Sequence, residues 1–307
     1  MRKSILIIST FAILFLLLGV SYSFDHSTSY VPHEEEMKDS QIIEEGQQEE
    51  EDKEEEEPEQ NQEEQANHNI ASNIKETVKH VIEGAVNLFI KEDLSIVAIG
   101  DSLTQGVGDE TNNGGYVGIL NHTFEEMDQS IDIVNYGKRG NRSDQLLKRL
   151  EDPEISSSIE NADLTLITIG ANDIMKVVQN NFTNLHYEPF RVELDDYEDR
   201  LREIIERMKT MNPETEIYLL GIYNPFEKYF GDIEQLNLII ENWNQTNLAV
   251  ASRYDQVTFV PIRDLFQDGD ESLFAEDKFH PNINGYELMA ERVLHFIKPS
   301  IEKKEDF

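Results

Sequence analysis

The chain has 307 residues, with 26 Lys+Arg against 62 Asp+Glu, no cysteine and one tryptophan. Without cysteine there is no disulfide framework, no thiolate nucleophile and no Cys-ligated metal or cluster. A formal charge of −36 argues against a general nucleic-acid partner, whose phosphates would repel the chain.

The N-terminus opens on Arg2 and Lys3, followed by an almost unbroken apolar run from Ile5 to Val20. That run is shorter than the ~20 residues a helix needs to span a bilayer. Ser21-Tyr22-Ser23 then places small residues where a signal peptidase cuts. Residues 1–23 therefore read as an export signal, with an uncleaved anchor as the competing reading, and any membrane association is expected through this end only. Residues 24–70 differ completely, because positions 31–70 hold 17 Asp+Glu against Lys38 and Lys53 alone. Such a segment buries too little apolar surface to offset its ordering entropy, and its like charges repel, so it reads as an extended acidic tether. A calcium-binding role is the sharper alternative, but the spacing matches no EF-hand loop.

Residues 71–307 still carry 22 basic and 44 acidic side chains, and they are numerous enough for one well-filled core. A lead-in helix is expected over 71–93, where Asn73 caps with Glu76 three residues on and Ile74, Val78, Val81, Ile82, Ala85 and Phe89 recur at helical spacing. From 94 to 300 apolar runs alternate with helical patterns, ahead of a charged tail at 301–307. Strands are expected at Ser95–Ile99, Ile131–Tyr136, Leu164–Ile169, Ile217–Ile222 and Val257–Ile262. The clearest helices run through Leu194–Met208, Leu236–Ala251 and Ile283–Ile297. This alternation implies a parallel sheet of about five strands covered on both faces, with ligands beyond the carboxyl ends of the strands.

Four short blocks sit at those ends. Gly100-Asp101-Ser102-Leu103 follows the first strand, Gly140-Asn141 the second, Gly170-Ala171-Asn172-Asp173 the third, and Asp277-Lys278-Phe279-His280-Pro281 precedes the last helix. Each alone is ordinary turn punctuation; their joint occurrence in this order is not. With these blocks the sequence resembles the SGNH hydrolases, also called GDSL esterases/lipases, over roughly 94–300. The resemblance implies a flavodoxin-like three-layer α/β/α sandwich. It implies Ser102 as nucleophile, Asp277 and His280 as the rest of a triad, and oxyanion donors at the Ser102 and Gly140 amides and the Asn172 side chain. The chemistry fits those residue types. A serine hydroxyl needs a base, a histidine titrates in the right range, a carboxylate three residues away can orient it, and the oxyanion needs donors already in place. No cofactor and no metal are implied.

The remaining motifs carry less. His26, His33 and His68 fall in the tether, while His80, His122 and His295 fall in helical patterns as surface or packing residues. His186 reads as a loop histidine, and Asp101 and Asp173 as acceptors for loop amides. Gly106-Val107-Gly108 lacks the completing glycine of a dinucleotide site. Gly-x-Ser-x-Gly, P-loop and histidine–glutamate zinc motifs are absent. Asn141 begins a glycosylation sequon beside an expected oxyanion donor, which together with a cysteine-free exported chain favours a bacterial source. Two segments are candidate walls of a substrate pocket. Ile174–Phe190 is apolar without a clear period, and Tyr223-Asn224-Pro225-Phe226 opens an aromatic-rich stretch in which Tyr223 and Phe226 are expected to touch substrate. The leading expectation is an exported esterase or lipase acting on small-molecule or lipid esters. The alternatives are a deacetylase of acylated cell-wall or extracellular glycans and an idle binding module on a tether. Limited proteolysis of the exported chain is expected to cut first between Asp25 and Asn69, and a chain beginning at Ala71 to hydrolyse small esters at the full-length rate; protection of that segment would show that it folds.

Overall fold

The computed structural model describes residues 94–302 apart from 128–130, 182, 185 and 226–233. The expected signal or anchor, the tether, the lead-in helix, Phe226 and the tail beyond Glu302 lie outside the described residues.

Five strands form one sheet: β1 (Leu94–Gly100), β2 (Ile131–Gly137), β3 (Leu164–Thr168), β4 (Glu216–Leu220) and β5 (Val257–Val260). They are all parallel, in the order β2-β1-β3-β4-β5. Burial on both faces explains why the inner strands β1, β3 and β4 read as continuous apolar runs rather than alternating ones, whereas the edge strands β2 and β5 stay partly exposed. The helices are α1 (Ser102–Gln105), α2 (Gly115–Glu126), α3 (Ser143–Arg149), α4 (Pro153–Glu160), α5 (Ala171–Asn180), α6 (Tyr187–Met211), α7 (Glu234–Ala251) and α8 (Ile283–Ile301). Two 3₁₀ segments, Arg263–Gly269 and Glu271–Leu273, lie between β5 and α8.

Side chains of alternate strand residues point to opposite faces. Ile96, Ala98, Leu164, Leu166, Tyr218 and Leu220 meet α2 and α8 in one core cluster, through Tyr116, Leu120, Phe124, Tyr286, Met289 and Val293. Val97, Ile99, Ile167, Ile217 and Leu219 face the other way and are fully buried. On α6 and α7, Tyr197, Leu201, Ile204, Ile205, Met208 and Trp243 are buried as well. The sole tryptophan, Trp243, lies with its ring centroid 6.1 Å from that of Tyr197.

The structure departs from the sequence reading in two places. Ile174–Phe190 is not an irregular wall: it straddles the end of α5 and the start of α6, and two helical registers broken near Asn181 leave no single period across it. Helix α8 starts at Ile283, as the apolar pattern has it, capped by the Asn282 side chain on the amides of Asn284 and Gly285. It also runs on to Ile301, which is fully buried because Ile297 and Ile301 extend the same apolar stripe, so the tail begins later than 301.

The strand order reverses direction between β1 and β3, and ligands of such sheets bind at that switch point. There the two strands are locked closely together. A Cβ on Gly100 would lie 2.3 Å from the Thr168 carbonyl oxygen, too close for any side chain. Gly100→Ala is therefore expected to lower stability by roughly 3 kcal/mol or more, at the upper end for overpacked sites, as read by urea unfolding.

Candidate active site

Ser102 stands two residues past the end of β1, at the start of α1. Its turn is held by Asp101, whose carboxylate accepts from the Leu103 amide at 3.0 Å and from Thr168 Oγ1 at 2.8 Å. Thr168 Oγ1 also lies 2.7 Å from Thr104 Oγ1, which reaches Tyr116 Oη at 3.2 Å. This buried chain ties the serine turn to β3 and α2. Asp101 therefore does accept a loop amide, and it bridges strands as well.

His280 reaches the serine from the far end of the chain. Its Nε2 lies 2.9 Å from Ser102 Oγ, and its Nδ1 lies 2.5 Å from Asp277 Oδ2. An ionised carboxylate only accepts, so the Nδ1 proton points to Asp277 and Nε2 is left to accept the serine proton. The other Asp277 oxygen accepts the amides of Phe279 and His280, each at 2.9 Å. Lys278, at φ 54°, bends the loop so that one carboxylate can serve both amides and ring. Burial pushes the Asp277 carboxyl up, but the hydrogen bond and charge of His280 and the two amides outweigh it, holding the group below its ordinary value. Ser102 and His280 are buried, 6% and 3% exposed, while the Asp277 side chain stays one-third open.

Of the expected oxyanion donors, Asn172 lines the same cleft as Ser102. Its Nδ2 donates to the Asn141 carbonyl at 3.1 Å, which leaves the second amide proton free of that bond. Gly140 sits one residue before, in a turn closed by the Asn141 amide on the Lys138 carbonyl. Its φ of +75° is the third-position conformation that glycine adopts without strain. Asn141 itself is 2% exposed, and its side chain is tied to Arg149 Nη1 and to the Arg142 carbonyl; a glycan has no room there. Tyr223 also lines the cleft, and His186 is the residue preceding α6, bonded to the Asn184 carbonyl.

Two supports go beyond the sequence reading, which gives Asp173 only as an acceptor for loop amides. Asp173, fully buried, accepts from the Ser143 amide and hydroxyl and from Arg200, and Arg200 also donates to Ser143 Oγ and Glu193. This cluster clamps the starts of α3 and α5, which carry the Gly140 and Asn172 loops, to α6. The second is the loop from Gly106 to Gly115, in which Asp109 accepts the amides of Thr111, Asn113 and Gly115. A Cβ on Gly108 would meet His280 Cβ at 2.8 Å, so this loop is packed against the histidine. The signal for its far end was present: Tyr116, Ile119, Leu120, Thr123 and Phe124 recur at helical spacing after Gly114-Gly115.

A model of the GDSL-like lipase/acylhydrolase family matches residues 98–288. The uncharacterized protein YpmR of Bacillus subtilis is 37% identical over 219 residues, spanning 70% of this chain and 86% of its own length. The spore germination lipase LipC of Bacillus licheniformis is 24% identical over 205 residues, spanning 65% and 94%. Among solved structures, a variant of the acetyl-xylooligosaccharide esterase Axe2 from Geobacillus superposes with a TM-score of 0.53 at 23% identity, covering 68% of this chain and 95% of its own.

Burial raises the Asp101 carboxyl to about 6, against the pull of Thr168, Leu103 and His280. A folded-state value above the unfolded one favours folding at low pH, and that contribution is lost as pH rises through about 6. Asp101→Asn, which does not titrate there, is therefore expected to gain stability relative to wild type between pH 4 and pH 7. The gain should be on the order of 3 kcal/mol, measured as the difference between the two urea-unfolding free energies at each pH; a constant difference would contradict it.

Proposed function

This chain belongs to the GDSL-like lipase/acylhydrolase family, and we propose that it is an exported serine hydrolase that cleaves carboxylic esters through a seryl acyl-enzyme. The observation that carries this reading is the continuous line from Asp277 through His280 to Ser102, with contacts of 2.5 and 2.9 Å. In the proposed cycle, His280 Nε2 takes the hydroxyl proton as Ser102 Oγ attacks the ester carbonyl carbon. The negative charge that develops on the carbonyl oxygen is met by the Ser102 and Gly140 amides and by Asn172 Nδ2. As the tetrahedral adduct collapses, the C–O bond to the alcohol breaks and the alcohol leaves with the proton from Nε2. Water then repeats the sequence on the acyl-enzyme, with His280 again as base, and releases the carboxylic acid. Asp277 keeps its charge throughout and stabilises the imidazolium.

The same steps serve a lipid ester or an O-acylated glycan, and an idle tethered module would have no use for them. Export is supported by the basic and apolar N-terminal run with its small residues at 21–23. A fluorophosphonate probe is expected to label Ser102. Ser102→Ala should abolish ester hydrolysis with an unchanged melting curve, and Asn172→Ala should lose roughly 10²–10³-fold in kcat. Activity retained by purified Ser102→Ala would overturn the assignment.

A further inference from the structure

Resting on that esterase reading, we propose that Arg149 is a positioning residue of the oxyanion hole, holding the Gly140 and Asn172 donors in place through Asn141. Arg149 lies in the last turn of α3, where a cation ordinarily faces the helix's own final carbonyls. Its hydrogen bonds go elsewhere. Nη1 donates to Asn141 Oδ1 at 2.7 Å, and to the Gly100 carbonyl at the longer distance of 3.5 Å. Nη2 donates to the Tyr136 carbonyl at 2.7 Å. One planar guanidinium, a fork of fixed geometry, thus bridges the end of β1, the end of β2 and the loop that follows β2.

Asn141 connects that fork to both donors. Its carbonyl accepts from Asn172 Nδ2 at 3.1 Å, and its amide closes the turn around Gly140 on the Lys138 carbonyl at 3.0 Å. The residue next to one donor therefore also fixes the other. Lys138 in turn donates its amide to the Gly100 carbonyl at 3.1 Å, two residues before Ser102. The other bond of the Asn141 side chain, to the neighbouring Arg142 carbonyl at 3.1 Å, is local and moves with the loop. The guanidinium is what ties that side chain to the sheet. Its three partners are oxygens of neutral amides, and burial pushes its pKa down against the charge of Asp152. Desolvating the cation is a cost. What the three bonds secure is that the donors stand in place before charge develops on the substrate oxygen.

The test is steady-state hydrolysis of p-nitrophenyl acetate by the full chain, with urea unfolding measured on each variant. The variants are Arg149→Ala, Arg149→Lys, Asn141→Ala and the Arg149→Ala, Asn141→Ala pair. Loss of an interaction made only in the transition state lowers kcat and kcat/KM by the same factor. Arg149→Ala is expected to lose roughly 10–100-fold in both, less than the range for deleting a donor outright. Arg149→Lys, which keeps the charge but not the fork, should recover part of that loss. The paired variant should fall no more than about threefold below the worse single one, because Arg149 acts through Asn141. A merely structural arginine would lower the urea midpoint while kcat of the folded variant stayed within about twofold of wild type. That result, a loss carried by KM alone, or losses that multiply in the pair would each overturn the proposal. If Arg149→Ala does not fold, Arg149→Lys and Asn141→Ala decide it, and wild-type kcat in both would overturn it. All of these outcomes leave the serine-hydrolase reading intact. A wild type that neither hydrolyses the ester nor takes a fluorophosphonate on Ser102 would overturn that reading and this inference with it.

Discussion

One 2.9 Å contact joins two residues 178 positions apart, Ser102 and His280. Nearly the whole described domain lies between them, so the contact exists only when the sheet is complete and α8 is docked on it. Neither residue is held by the other. Ser102 is placed by β1 and the Asp101 turn, and His280 by a short loop between the second 3₁₀ segment and α8. That loop is anchored at both ends: the Ala275 amide bonds the His280 carbonyl at 2.9 Å, and the Asn282 amide bonds the Leu273 carbonyl at 3.0 Å. A distance of this quality across such a separation is a statement about the rigidity of the frame.

The frame under the site is unusually polar for a protein interior. Asp101, Thr104, Thr168, Ser143 and Asp173 are all buried, and each finds partners. Such groups add little net stability when satisfied and are costly when left unpaired. Their effect is specificity of arrangement. An apolar core would tolerate small slides of one loop against another, whereas a network of directional bonds does not. The donors for a developing negative charge need that intolerance, since their benefit depends on being in place before the charge appears.

The sheet was legible in the sequence because strands buried on both faces have no polar positions to hide the run; Leu164–Thr168 is buried throughout. The four loop blocks were legible because glycines, short polar residues and a histidine at strand ends have chemical meaning at short range. What escaped was long-range or compound. Arg200 reaches Ser143 across 57 positions, and no local pattern announces such a partner. Helix α5 was hidden because the reading window covered two helices at once. The backing role of Gly108 depends on the space occupied by His280 and Pro281, which only the folded chain defines.

The single indole gives this arrangement an optical consequence. Trp243 is 1% exposed and packs near Tyr197, the side chain whose hydroxyl braces the Ile169 carbonyl at the cleft. No other tryptophan occurs anywhere in the 307 residues, so the long acidic N-terminal segment contributes no indole emission. Excitation at the red edge of the absorption band therefore addresses one chromophore in one place, and its emission maximum reports whether the hydrolase domain is folded without interference from the rest of the chain.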